Sequence, residues 1–195
     1  TGRDGGSRGE FMAIFYRRER FEPLAYDHFW LSDTPEVIGS STWGNPNRRM
    51  VTSVHFRDRQ TGKEFHFWNT HLDHALQPAR EKGAALIQKR LTKLPPSDRV
   101  ILMGDFNAVA TRNTVYDALT KDIGFTDSWF SAAQRKNETL NSFNGFGQST
   151  FNSARIDWIL YRGEADVPWT EVVDLTPGGR QPSDHFPVFT RMTWK

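Results

Sequence analysis

The chain has 195 residues, 37% of them hydrophobic and 25% charged, with a formal net charge of +2. This composition is typical of a single soluble globular domain, and no apolar run is long enough to span a bilayer. Because the chain contains no cysteine, disulfides, thiolate metal sites and cysteine nucleophiles are excluded. A metal would therefore be bound by oxygen and imidazole ligands, which suits Mg²⁺, Mn²⁺ or Ca²⁺.

The first half of the chain is predicted to consist mainly of strands. Residues 1–9 are rich in Gly, Arg and Ser and are typical of a loop, and Pro and Gly mark a second, long loop. That loop covers 32–47. Apolar and aromatic runs predict strands at 10–17, 21–31, 50–56 and 64–69, the last two forming a hairpin.

The second half is predicted to mix helices and strands. Apolar residues recur near helical spacing over 76–94, and two consecutive prolines end this predicted helix. Strands outnumber helices, so the sequence predicts a mixed α/β architecture in which packed sheets carry helices on their outer faces. The other predicted elements are strands at 100–103, 155–161, 171–175 and 186–192, a short helix at 113–121 and a mostly irregular segment at 124–149.

Two polar side chains follow the most apolar of the predicted strands. Residues 99–108 read RVILMGDFNA, in which four large apolar residues precede Gly104. Because residues two apart on an extended chain point the same way, Asp105 and Asn107 would face one space at the end of the strand. A carboxylate and an amide placed there suit a metal ion or a phosphate. An ordinary turn explains the same residues equally well, since Asp and Asn favour turns.

Three further segments place ionisable side chains at or near the ends of predicted strands. An aromatic strand leads into His71 and His74, and an otherwise apolar strand contains Asp157. A buried carboxylate such as Asp157 needs a cationic or imidazole partner. Asp184 and His185 lie side by side just before the last strand. Each residue alone is more often structural than catalytic, but the presence of four such segments weakens that explanation.

These segments together resemble the signature motifs of the endonuclease/exonuclease/phosphatase superfamily, which includes deoxyribonuclease I. They occur in the family's order and approximate spacing, which argues against a chance match. The start of the chain, with Gly2-Arg3-Asp4 and Gly9-Glu10-Phe11, resembles a loop–strand unit of the deoxyribonuclease-like branch. The matching segments are NTHLD at 69–73, GDFN at 104–107, IDWI at 156–159 and SDHFPV at 183–188.

The resemblance implies a deoxyribonuclease I-like α+β fold, a four-layer α/β/β/α sandwich of two mixed β-sheets, with 1–195 as a single domain. It also implies metal-dependent hydrolysis of phosphoesters by in-line attack of water. Relatives begin with a strand carrying an Asn, followed by a second strand that ends in a metal-binding Glu. Neither is matched here, so we expect the fold to be N-terminally incomplete, with exposed strand edges, weak metal binding and poor turnover.

By the same resemblance, two histidines are expected to form acid–base pairs with carboxylates. His71 would be the general acid that protonates the leaving oxygen, with Glu10 orienting its imidazole. His185 would activate water or hold the phosphate, with Asp157 as its carboxylate partner. Separate carboxylates give the two imidazoles distinct environments, as a site that runs both proton transfers requires.

The remaining polar residues are expected at the metal and the phosphate. Asp105 and Asn107 would orient the nucleophile and contact both groups, and Asp184 would add a ligand to a site for Mg²⁺ or Mn²⁺, with Ca²⁺ as a further candidate. Arg3 and Arg49 are candidates for binding the phosphate through charge-assisted hydrogen bonds. Solvated surface arginines explain the same two positions about as well.

The sequence leaves the substrate open. Candidates are a phosphorylated small molecule, a lipid head group or a nucleic acid, as a monoester or a diester, because basic residues are scattered rather than gathered in a stripe. Phe146, together with Phe143 of the same loop and Trp43, would line a substrate pocket, or would anchor loops on the core. The alternative function is a non-catalytic or inactive fragment that binds a phosphorylated ligand. We expect a monomer, and the compartment is left open between cytoplasmic and secreted or periplasmic.

Overall fold

The computed structural model describes residues 1–148 and 154–195. The helices in these ranges are α1 (Gln77–Leu91), α2 (Thr114–Asp117), continued by a wide helical turn at Ala118–Asp122, and α3 (Ser128–Ser131). None of them has the length and apolar character needed to cross a membrane. The strands are β1 (Phe21–Trp30), β2 (Met50–Asp58), β3 (Glu64–His71), β4 (Val100–Asp105), β5 (Thr126–Asp127), β6 (Gln134–Lys136), β7 (Asp157–Arg162), β8 (Ala165–Val172) and β9 (Val188–Trp194).

The strands form two mixed sheets, which confirms the predicted α+β sandwich. The larger sheet has the order β1-β2-β3-β4-β7-β5, and the smaller has the order β6-β8-β9. Strands β3 and β4 run parallel, as do β6 and β8, whereas the other neighbours are antiparallel. The carboxyl ends of β3 and β4 therefore lie beside the start of β7, at the same end of the strands of the larger sheet.

Helix α1 packs on one face of the larger sheet. Its sequence favours a helix here because Pro78 fits the first turn, where a backbone N–H is not needed. Ile87 and Leu91 are buried in one cluster with Leu102 of β4 and Trp158 of β7. Full burial of such an aliphatic side chain contributes about 1.5–3 kcal/mol. The predicted helix is confirmed, although it ends at Leu91 rather than at residue 94.

The opposite face of the larger sheet is covered unevenly by the smaller sheet. Tyr161 of β7 is buried with Val167 of β8, and Trp194 of β9 packs partly buried against them. Farther along, an open groove of about 550 Å³ runs over Phe67 and Ile101. Over the described residues β9 pairs only with β8, so its other edge carries no strand.

The strand predicted at 10–17 is wrong. The segment belongs to neither sheet, and the carbonyl of Ala13 instead accepts a hydrogen bond from the Asn69 side chain at 2.9 Å. Phe15 in its middle is 93% exposed. Aromatic residues raise strand propensity, but a strand also needs a neighbouring edge with which to pair.

Several elements of the second half also differ from prediction. The strand expected at 171–175 is instead β8, which ends at Val172. The helix expected at 113–121 is divided, because the Asn113 side chain caps the short helix α2 and a wide turn follows. The segment 124–149 was expected to be mostly irregular, yet it contains β5, α3 and β6. Residues 149–153 lie outside the described residues.

Candidate active site

The ionisable residues of the motifs meet where β3 and β4 end. His71 is the last residue of β3 and lies opposite Asp105, the last residue of β4. Asp105 lies in turn opposite Asp157, the first residue of β7. Residues that face each other across neighbouring strands point to the same side of a sheet, so these three side chains form one row.

The backbone around Asp105 depends on two residues with positive φ. Gly104 has a φ of 147°, and a Cβ atom there would lie 1.9 Å from the carbonyl oxygen of Thr70 on β3. Asn107, with a φ of 48°, turns the chain so that its backbone N–H donates to Asp105 Oδ1 at 2.8 Å. Its side chain donates to the carbonyl of Leu72 at 3.0 Å. Gly and Asn tolerate these conformations better than other residues.

His71 is held between two carboxylates. Its Nδ1 lies 3.3 Å from Glu10 Oε2, and its Nε2 lies 3.1 Å from Asp105 Oδ2. Arg3 donates a hydrogen bond to Glu10 at 2.6 Å, and Arg49 Nη1 lies 3.9 Å from the same carboxylate oxygen. The structure thus brings Glu10 from the N-terminal loop to the imidazole with which the sequence paired it.

His185 is the second imidazole of the site. It precedes β9, and a single β-bridge to Phe143 positions its backbone. Its Nδ1 lies 2.8 Å from Asp157 Oδ2, while its Nε2 lies 3.8 Å from Asp105 Oδ2. Ser142 Oγ accepts hydrogen bonds from two backbone N–H groups at the start of β7, which fixes the approach of Asp157.

The carboxylates and imidazoles alter one another's protonation. Burial acts to lower the pKa of His185. The hydrogen bond and charge of Asp157, with the charges of Asp105 and Asp184, outweigh burial and raise that pKa to about 9. Burial acts to raise the pKa of Asp105, but the hydrogen bond and charge of His71 hold it below its usual range. At neutral pH an ionised Asp105 therefore faces an imidazolium at His185.

Three of these side chains form a group that fits a divalent cation. One ligand atom from each of Asp105, Asp157 and His185 lies within 4.8 Å of the others. The carboxylates are ligands that hard divalent cations prefer, and the imidazole is a ligand that transition metals prefer. Asp184 is not part of this group, although its charge acts on His185. Asn107 directs its amide N–H to Asp105 Oδ2 at 3.1 Å.

The predicted substrate-binding residues occupy three different positions. Arg3 borders the site through its ion pair with Glu10. Arg49 is 4% exposed and lies beneath the surface of the site, where its guanidinium contacts protein groups. Phe146 is 62% exposed on a 3₁₀ turn, and it is Phe143 of the same loop that lines the cavity at the site.

A cavity of about 280 Å³ opens beside His185. The Phe143 ring forms part of its wall and meets the His185 ring edge to face, with the centroids 5.1 Å apart. The described lining contains neither Lys nor Arg, so a compact ligand with polar and apolar sides fits it better than an extended polyanion. The lining residues are His74, Asn107, Val109, Asn141, Phe143, Ala154, Ile156 and His185.

A second cavity, of about 310 Å³, lies between the two sheets and is also lined by Asp105, Asp157 and His185. Its other walls are mostly apolar, with Met103 of β4, Ile159 of β7 and Val188 of β9 among them.

Sequence reasoning assigned no role to two residues that border the site. His74 ends the segment NTHLDH, so its nearness to His71 was visible in the sequence, but its contact with the cavity was not. Ser142 belongs to a loop without a recognisable pattern, and only the fold brings its hydroxyl to the start of β7.

Comparison with known proteins identifies the family. The sequence profile of the Endonuclease/Exonuclease/phosphatase family matches residues 2–185. A mannosyl-6-phosphatase from Bacteroides thetaiotaomicron is 33% identical, with a TM-score of 0.88 over 99% of this chain and 75% of its own. A family protein from Bacteroides vulgatus is 29% identical, with a TM-score of 0.89 over 100% of this chain and 74% of its own. An uncharacterized protein of Acanthamoeba polyphaga mimivirus is 32% identical over 108 residues.

The chain belongs to the Endonuclease/Exonuclease/phosphatase family, whose members hydrolyse phosphoric esters. This confirms the resemblance drawn from the four motifs and the deoxyribonuclease I-like sandwich that it implied. The chain spans about three quarters of the two solved relatives. The match to the viral protein covers 50% of this chain and 40% of that protein.

Proposed function

We propose that the protein is a divalent-metal-dependent phosphoesterase that hydrolyses phosphomonoesters of compact, sugar-like alcohols by in-line attack of water. The observation that carries the proposal is the convergence of His71 and His185, each with its own carboxylate, on Asp105. Two imidazoles in different environments beside an ionised carboxylate provide the proton transfers and the charge that phosphoester hydrolysis needs.

Asp105 and Asp157 would hold the cation, whereas His185, which is protonated at neutral pH, would stay outside the ligand set. A bound divalent ion supplies charge neutralisation at the phosphoryl oxygens and lowers the pKa of a coordinated water. Because the pKa of His185 is raised to about 9, ligation by this imidazole competes with a proton. Asp184 remains a predicted ligand, supported by the effect of its charge on His185.

His71 is the proposed proton donor to the leaving oxygen. Glu10 and Asp105 face its two ring nitrogens and so keep the imidazole oriented. His185, as an imidazolium at neutral pH, is better suited to hold a phosphoryl oxygen than to accept a proton, which favours one of the two roles that the sequence left open. Asp105, which stays ionised, is then the group available to orient water.

Two observations favour a compact phosphomonoester as the substrate. The described lining of the cavity contains no cationic Lys or Arg, whereas a nucleic-acid groove needs such groups along successive phosphates. The relative that is 33% identical over nearly the whole chain is named as a mannosyl-6-phosphatase. The residues of the cavity wall are also consistent with a small organic group attached to the phosphate.

The proposal is tested by hydrolysis of mannose 6-phosphate, p-nitrophenyl phosphate and bis-p-nitrophenyl phosphate, with Mg²⁺ or Mn²⁺ and again with EDTA. We expect metal-dependent activity with a preference for monoesters, abolished by EDTA. His71→Gln should lower kcat roughly 10²–10⁴-fold, because it removes the proton donor. The control is His55→Gln, the same change at a histidine of β2 outside the site, which should retain full activity.

Each other outcome has a defined meaning. Activity that persists in EDTA, or unchanged in His71→Gln, would contradict the mechanism. A preference for bis-p-nitrophenyl phosphate would favour a phosphodiesterase or nuclease over a phosphatase. Binding of mannose 6-phosphate without turnover would favour the alternative of a non-catalytic protein that binds a phosphorylated ligand.

A further inference from the structure

We propose that His74 is a substrate-contact residue whose Nε2–H donates a hydrogen bond to a hydroxyl oxygen of the alcohol that leaves from the phosphate. The inference rests on the function proposed above and deepens it, because it assigns recognition of the leaving group to one side chain of the cavity. It is carried by the hydrogen bonds that fix the tautomer and the position of this imidazole.

Arg49 determines which ring nitrogen of His74 carries the proton. Arg49 Nη2 lies 3.1 Å from His74 Nδ1. A guanidinium contains only N–H donors, so Nδ1 has to accept this hydrogen bond and is unprotonated. The ring proton then lies on Nε2, because a proton on Nδ1 would point at the N–H group of Arg49, so that two donors would face each other. His74 is therefore a fixed hydrogen-bond donor at Nε2.

The guanidinium of Arg49 is itself held in place. It is 4% exposed, with Asp73 Oδ2 at 3.7 Å from Nε and Glu10 Oε2 at 3.9 Å from Nη1. Nε and Nη1 are buried without hydrogen-bond partners, so the bond to His74 is the one side-chain hydrogen bond of Arg49 found among the described residues. Loss of that acceptor would leave a further buried donor unsatisfied, which stabilises the observed contact.

Hydrogen bonds also fix the backbone at His74. Arg80 Nη1 donates to the carbonyl oxygens of Asp73 and His74, at 2.8 and 3.0 Å. Asp73 Oδ1 accepts hydrogen bonds from the backbone N–H groups of Ala75 and Leu76, at 3.0 and 2.8 Å. A fixed backbone and a fixed partner preorganise the ring before substrate arrives, so little ordering is needed on binding.

His74 belongs to the cavity and not to the group that fits a metal. It lines the cavity together with Asn107 and His185, whereas the metal-fitting group consists of Asp105, Asp157 and His185. His185 is common to both sets and marks the boundary between them. A phosphate bound at the metal-fitting group would therefore place the rest of the substrate on the side of His74.

The walls of the cavity indicate the class of leaving group. Val109, Phe143 and Ile156 form an apolar surface, while His74 offers a neutral donor. A neutral donor binds a hydroxyl oxygen without requiring a second charge on the ligand. A ring alcohol of hexose size, with its C–H groups on the apolar wall and a hydroxyl at His74, fits a cavity of about 280 Å³.

The tautomer is read directly by ¹⁵N magnetic resonance of histidine-labelled protein, with the His74 signals assigned by their loss in His74→Asn. We expect an unprotonated Nδ1 and a protonated Nε2 at neutral pH. We also expect the Nε2 signal to shift on titration, with Mg²⁺ present, with a non-hydrolysable phosphonate analogue of mannose 6-phosphate, which binds without turnover. A proton on Nδ1, or an Nε2 signal that does not respond to the analogue, would overturn the inference.

Two substitutions separate the roles of the ring nitrogens. In His74→Asn the amide oxygen can still accept from Arg49, but no donor reaches the cavity. In His74→Gln the longer amide can still donate into the cavity. We expect His74→Asn to lower kcat/KM for mannose 6-phosphate roughly tenfold more than for p-nitrophenyl phosphate, mainly through KM, because p-nitrophenol has no ring hydroxyl to bind. His74→Gln should recover most of this loss.

The matched control is His55→Asn, the same change at a histidine far from the cavity, which should leave the ratio of the two substrates unchanged. Equal losses for both substrates in His74→Asn, or no recovery in His74→Gln, would overturn the inference and leave the proposed function standing. A wild-type protein that hydrolyses neither substrate would contradict the proposed function. The tautomer and the titration would then decide the role of His74 without turnover.

Discussion

At the scale of single residues, His185 shows how burial and charge compete in this site. Its side chain is 26% exposed, and burial alone would favour the neutral ring. The carboxylates of Asp157 and Asp105 reverse that preference and raise the pKa to about 9. In the folded protein His185 therefore retains a proton that it releases at about pH 6.5 in an unfolded chain.

This proton predicts a pH-dependent stability. Because the pKa of His185 is higher in the folded state, its stabilisation is complete below about pH 6.5 and is lost as the pH rises through about 9. We expect the free energy of unfolding to fall by about 1–3 kcal/mol over this window. His185→Gln should remove most of the slope, as measured by urea denaturation at a series of pH values.

His28 provides a control with the opposite sign. Burial lowers the pKa of His28, and the positive charge of the N-terminus lowers it further. The negative charge of Asp27 acts in the opposite direction but does not outweigh them. His28→Gln should therefore change stability only on the acid side of about pH 6.5. Identical slopes for the wild type and His185→Gln at alkaline pH would show that the proton is not held by His185.

At the scale of elements, the parallel pair β3–β4 positions the site. His71 and Asp105 face each other at the last step of this ladder, and Gly104 precedes Asp105 by one residue. The two backbones approach so closely at Gly104 that a Cβ atom would lie 1.9 Å from the oxygen and 2.8 Å from the carbon of the Thr70 carbonyl. The ladder cannot accept a side chain here without separating the strands.

Gly104→Ala is therefore expected to destabilise the protein by more than about 3 kcal/mol in urea denaturation. It should also lower phosphoesterase activity, because His71 and Asp105 would move apart. Gly62→Ala is the matched control, since Gly62 has a φ of 71° but nothing within 4 Å of the added Cβ. The control should lose only about 1 kcal/mol, from backbone strain. Equal losses in the two variants would rule out the steric explanation.

At the scale of the whole molecule, the two sheets leave apolar surface open between them. The groove of about 550 Å³ over Phe67 lies on this side of the larger sheet, and one edge of β9 pairs with no strand in the described part of the chain. Phe15, which lines this groove, is 93% exposed. Contiguous apolar surface and open strand edges favour binding of apolar ligands and self-association.

We expect the native 195-residue chain to bind an apolar fluorescent dye, because the groove over Phe67 is open to solvent. Phe67→Thr should reduce the dye signal, whereas Tyr26→Thr, at a residue 76% exposed outside that groove, should not. Sedimentation velocity over a range of concentrations tests the monomer expected from the sequence. Dye binding that is equal in both variants would mean that the groove is not the binding surface.

The elements that could be predicted from the sequence are those with strong local patterns. β2, β3 and α1 were predicted close to their observed bounds, because their apolar residues recur with the period of a strand or of a helix. β5 and α3 were missed, because they are short and depend on a distant contact. The buried Asp127, the last residue of β5 and the N-cap of α3, accepts hydrogen bonds from Arg155 and Tyr116, at 2.8 and 3.1 Å.

The sequence by itself determined which polar residues follow the apolar strands, and through four motifs it determined the family. The family resemblance also implied the pairs Glu10–His71 and Asp157–His185, but only the tertiary structure decided the further contacts: Asp105 beside both imidazoles, and Arg49 at His74. The reason is physical. A motif fixes the order of side chains along the chain, whereas hydrogen bonds, pKa values and cavity walls depend on distances and burial that arise when strands distant in sequence pair.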